Sequence, residues 1–110
     1  MTAYSRQKAQ GQVATSAGAI LTADAAAKVT ITGDSFYNSH SAALALTLYN
    51  VDSGDSVAAD TCIGIVNIPT GQTARNVLVG TNVKAGGTIQ AVTGTGSVLT
   101  YTISYLSISE

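Results

Sequence analysis

The side chains of this chain that could do chemistry begin with its single histidine. His40 stands between Ser39 and Ser41, six residues after Asp34, and these are the types that build a nucleophile–base–acid relay. Ser and Asp are equally the ordinary residues of turns, and one histidine leaves no second base. Asn50, Asp52, Asp55 and Asp60 gather oxygen ligands that suit a calcium ion. Their spacing is not that of an EF-hand and lacks its terminal Glu, so hydrogen bonding within a solvated turn accounts for them. Gly94-Thr95-Gly96 has the glycines of a phosphate cradle but no following helix to complete it. Tyr37 and Tyr49 offer rings that could stack on sugars, a role they share with plain cross-strand packing. Cys62 is the only cysteine, so an intrachain disulfide is impossible, and no basic neighbour in sequence activates its thiol. It reads as a small buried apolar side chain. The acids lie mainly in turn-like segments and the only Glu is Glu110, which leaves no carboxylate pair for glycoside cleavage. The chain is expected to be no enzyme, with no catalytic residue, no cofactor and no metal.

The charge count points the same way. Five Lys/Arg and six Asp/Glu in 110 residues make 10% charged, net −1, against a usual share of about 25%. There is no basic excess to grip phosphates or anionic lipid, so neither nucleic acid nor a membrane is an expected partner. The N-terminal residues lack the apolar run of a secretory signal, and the uncharged stretch from Ala85 to Ser109 alternates polar and apolar residues, a strand pattern.

The elements that must hold these residues are strands. Lys28 to Thr32 alternates, with Val29 and Ile31 on one side, and Gly33-Asp34-Ser35 follows as turn chemistry. Ala42 to Tyr49 is the clearest case, with Leu44, Leu46 and Leu48 on one face and Ala45, Thr47 and Tyr49 on the other. Thr61 to Ile68, Ala74 to Val79, Thr88 to Thr93 and Val98 to Ile108 follow among the others, separated by Gly, Asn, Asp and the single Pro. In the last strand the apolar phase slips beyond Tyr105, which predicts a bulge or a change of contacted sheet. The Ala-rich stretch at residues 23–27 is too short for a helix. About seven or eight short strands with no substantial helix predict an all-β fold, an antiparallel β-sandwich of jelly-roll or immunoglobulin-like type. Its core is expected to hold Val29, Ile31, Leu44, Leu46, Leu48, Ile63, Ile65, Val77, Val79, Ile89, Leu99 and Ile103.

Residues 1–12 show no apolar period and read as an extended arm ahead of a single sandwich domain at 13–110. Tyr4, Arg6 and Lys8 in that arm are interface-type residues, and the arm is expected to order on a neighbouring subunit. The strand faces outside the core must be mostly Thr, Ser, Asn and Ala. Such a surface can pack against copies of itself without desolvating ions. Ala42, Ala45, Thr47 and Tyr49 are the expected contact residues, and the chain is expected to assemble.

Three segments carry a family resemblance: Val83-Lys84-Ala85-Gly86-Gly87-Thr88-Ile89-Gln90-Ala91, the strand at residues 98–108, and Ala43 to Asn50. In them the chain resembles the small β-sandwich virion proteins of tailed bacteriophages, over roughly residues 28–108. Gly87 stands where that family often has an acid. The resemblance implies a head decoration or cement protein, a homotrimer bound to the major capsid protein on the capsid surface and made in the host cytoplasm. It implies equally a tail or head-fibre component that acts as a receptor- or carbohydrate-binding module. A binding module would cluster aromatic residues at one end of the sandwich, whereas here they are few and spread along the chain, which favours decoration.

Overall fold

A computed structural model describes residues 3–109. It is an all-β sandwich of two antiparallel sheets, with nine strands among the described residues and no α-helix. In chain order the strands are β1 (Ala3–Gln12), β2 (Gly18–Thr22), β3 (Ala27–Asn38), β4 (Leu44–Val51), β5 (Cys62–Ile68), β6 (Thr73–Arg75), β7 (Asn82–Val83), β8 (Thr88–Thr93) and β9 (Leu99–Ser109). Sheet A runs β1-β9-β3-β6, with β7 also on β3, and sheet B runs β2-β8-β4-β5. The longest dimension of the molecule is 49 Å.

The core follows the period-two pattern. Val29, Ile31 and Phe36 of β3, Leu44, Leu46 and Leu48 of β4, Ile89 of β8, and Leu99 and Ile103 of β9 are buried between the sheets. Phe36 and Tyr101 pack with ring centroids 6.3 Å apart.

Several strand expectations are corrected. Gly33-Asp34-Ser35 is not a turn, because β3 runs through it and pairs with β9 down to Asn38. The register shift between Ile31 and Gly33 leaves Thr32 as an extra residue opposite Tyr105 and Ser104. The phase slip seen in β9 is thus answered by a bulge in its partner, since two strands of unlike phase can pair only if one carries an extra residue.

Ile63 and Ile65 are not core: they are 47% and 68% exposed, while Val66 and Ile68 face inward. Cys62-Ile63-Gly64-Ile65-Val66-Asn67-Ile68 has apolar residues on both phases. Periodicity alone cannot choose between them. The choice falls to β4, whose Leu44 and Leu46 sit opposite Ile68 and Val66.

The strand expected at residues 74–79 stops at Arg75. Asn76 takes a left-handed φ of 58°, and the chain turns so that Leu78 is buried while Val79 is 48% exposed. Asp34 fixes this turn: its two carboxylate oxygens accept the backbone N–H groups of Val77 and Leu78, each at 2.8 Å.

A second buried polar group links the sheets. Asn38, at the end of β3, is fully buried. Its amide donates to the carbonyls of Ala42 (3.0 Å) and Ile68 (2.9 Å) and its side-chain oxygen accepts the His40 N–H at 2.8 Å. With every polar atom partnered, burial costs little, and sheet A is tied to the end of β5.

Candidate interaction surfaces

The chemical candidates are dispersed. Asp34 is committed to the Val77–Leu78 turn, and His40 lies six residues further along, about 20 Å for extended chain. No relay forms. Asp52 lies 3.6 Å from Lys84 Nζ in an exposed ion pair, and Asn50 donates to the Asn82 carbonyl. Among the described residues no three His, Cys, Asp or Glu side chains come together as metal ligands, and no helix is long and apolar enough to cross a membrane. Tyr4 and Tyr37 lie at opposite ends of sheet A, and Tyr49 is on sheet B. The tyrosines form no shared stacking platform.

Residues expected at an interface fall on two separate surfaces. Ala45, Thr47 and Tyr49 line the outer face of β4, next to Val92 and Gln90 of β8 and Ile65 of β5. Ala42 is exposed just before this strand. The sequence reading missed Ile63 and Ile65 here because it had assigned them to the core. The signal was present in their alternation with Gly64 and Val66, but only the pairing with β4 decides which phase is outward. None of the four strands of sheet B contains Asp, Glu, Lys, Arg or His.

Tyr4, Arg6 and Lys8 lie on the outer face of β1, opposite Ile108, Leu106 and Ser104 of β9. The segment is extended, as expected, but it is laid along its own chain. All ten residues of β1 pair with β9, from Ala3 with Ser109 to Gln12 with Thr100. The reason is the edge of β9: with β3 on one side only, its other backbone groups need a partner. Ala9 packs on the core, and a Cβ on Gly11 would stand 3.0 Å from the Tyr101 hydroxyl. Tyr4 remains 67% exposed.

On sheet A the outward register also contains Lys28, beside Ile108, and Arg75, beside Ser35. Four of the five basic residues of the chain, Arg6, Lys8, Lys28 and Arg75, therefore share one face. The only described acid in sheet A is Asp34, which is turned inward. A depression of about 750 Å³ on this sheet is lined by Arg6, Lys8, Thr32, Ser104 and Leu106, among others.

No family model matches the chain, and no curated protein matches it significantly. Among solved structures, it is similar to one described as "Bacillus endospore appendages form a novel family of disulfide-linked pili". The TM-score is 0.53 at 13% identity, covering 98% of this chain and 87% of that one. The two share a fold. A further match is the cyanophage Pam1 capsid asymmetric unit, with a TM-score of 0.39 at 13% identity over 100% of this chain and 84% of that one.

Proposed function

We propose that this chain is a non-enzymatic structural subunit of a bacteriophage virion. Its role there is a decoration or cement protein, which seats as a homotrimer on the major capsid protein and holds the expanded head shell against internal pressure. The observation that carries this reading is the outer face of sheet B. It is built from strands without a charged side chain and ends on an edge strand where Ile63 and Ile65 stand exposed. Free proteins protect sheet edges with charge or proline and rarely leave large apolar side chains side by side in water. A face of this kind suits a protein that spends its life covered. Architecture adds support, since the same sandwich occurs in a pilus subunit.

The test is to add purified protein to shells that lack it. Saturable binding, with the shells surviving a higher temperature when decorated, is expected. Ile65→Lys, on the exposed edge of sheet B, should weaken that attachment. Absence of binding, with a monomeric mass at all concentrations, would overturn the reading.

A further inference from the structure

We propose that the outer face of sheet A is the seat for the loop between β4 and β5 of a second copy of this chain. The proposal rests on the assembly reading above and specifies how copies meet. On the face, Ile108 stands between Tyr4 and Lys28, and Leu106 between Arg6 and Thr30. The patch is thus aliphatic at its centre and cationic on both flanks. Among the described residues the only ion pair is Lys84–Asp52, so none of Arg6, Lys8 and Lys28 is paired with a described acid.

The complementary charges lie in the loop. Ser53-Gly54-Asp55-Ser56-Val57-Ala58-Ala59-Asp60 has acids at both ends of a run of small residues, and Asp55 and Asp60 are exposed. Arg6 and Lys28 sit on strands either side of β9, about 10–12 Å apart at ordinary strand spacing. Five residues of chain span at most about 17 Å, shortened here by the 3-10 turn at Ala59–Thr61 and extended by the two acidic side chains. The two acids can therefore reach both cationic flanks while Val57 and the alanines cover Leu106 and Ile108.

A single copy cannot make this contact with itself. The loop leaves β4 and enters β5, both in sheet B, whereas the cations point away from sheet B. Loop and patch also lie toward the same end of the sandwich: the Asp24 carbonyl accepts the N–H groups of Ala27 and Gly86, and Gly86 lies against Ser53. The contact joins two different surfaces, so one copy can offer its loop to one neighbour and its patch to another. Repeated head to tail it closes a ring when the rotation between copies allows, and the proposed homotrimer is one such ring.

The test uses the full chain in two charge-reversed forms. One carries Arg6→Glu, Lys8→Glu and Lys28→Glu; the other carries Asp55→Lys and Asp60→Lys. A neutral set, Arg6→Gln, Lys8→Gln and Lys28→Gln, guards against misfolding, and circular dichroism checks all three. Mass is read by light scattering across protein concentration at low and high salt.

The expected result is an assembled wild type that high salt loosens, each reversed form dissociating at ten-fold or more higher concentration, and co-assembly when the two reversed forms are mixed, read as a mass above that of either form alone. Unchanged mass in both reversed forms would overturn the inference while leaving assembly intact. Loss with no co-assembly on mixing would show that the loop is not the occupant. Unchanged mass with lost shell binding would move the occupant to the shell protein. A wild type that stays monomeric at every concentration would remove this inference, and it would remove the proposed function only if shell binding also failed.

Discussion

Sheets A and B are made from the same few residue types, yet they treat charge in opposite ways. All the charged side chains borne by strands are in sheet A, and the four strands of sheet B have none. Their edges differ accordingly. β1 carries Arg6 and Lys8 on its outward face, charges of the kind that discourage unplanned pairing. β5 has no charge, and its exposed side chains are Ile63, Ile65 and Asn67. Two sheets that bury equally well on the inside can therefore be addressed to different surroundings on the outside. A neutral face excludes few partners, whereas a cationic face selects among them.

The largest test of that contrast compares neighbours on β4. Leu46→Ala should cost about 2–5 kcal/mol of stability in urea denaturation, because Leu46 is fully buried. Ala45→Ser, one residue along and outward, should change stability by less than about 0.5 kcal/mol. Similar costs at the two positions would mean that the outer face of sheet B is covered within the chain itself.

A smaller effect on stability, with a larger one on association, is expected on β5. Ile65→Lys should alter stability by no more than about 0.5 kcal/mol and should lower attachment to shells or copies, read by sedimentation. If it instead destabilises as Leu46→Ala does, β5 is a core strand and the two edges are not different in kind.

The smallest effect concerns Tyr101 on the inner side of sheet A. Burial raises the pKa of its phenol above the ordinary value, because the interior penalises phenolate. A raised folded-state value contributes stability that is fully present below the unfolded pKa of about 10 and is lost as pH rises through the folded value. Tyr101→Phe should flatten the alkaline decline in melting temperature. An unchanged decline would assign it to other groups.

Much of sheet B was legible, because Leu44-Ala45-Leu46-Thr47-Leu48 alternates without ambiguity and a turn follows. Where the pattern was degenerate, reading failed for a definite reason. In β5 both phases are apolar, so facing is decided by cross-strand partners far away in sequence. β1 has neither phase apolar, so no local signal marks it as a strand; what makes it one is the unpaired edge of β9, almost a hundred residues later. Asp34 looked like a turn residue and does serve a turn, but as a buried acceptor for a segment distant in sequence, and Asn38, which carried no local signal, donates from the interior to Ile68. Tyr4, Arg6 and Lys8 were legible by type. Their union with Lys28 and Arg75 was not, since register alone brings those residues to one face.

The central position of β9 in sheet A also sets an order of events. β2, β8, β4 and β5 are all available once Thr93 has left the ribosome, so sheet B can close early. β1 and β3 flank β9 and make no direct pairing with each other, so both wait with open edges for a strand that emerges after the other eight described. Their contacts reach from Ala3 to Ser109, among the longest sequence separations this chain can make, and such closure is entropically slow. The half of the molecule that carries the cations is the half that closes later. Until β9 arrives, Arg6, Lys8 and Lys28 are also the charges that keep β1 and β3 of one nascent chain from pairing with those of another.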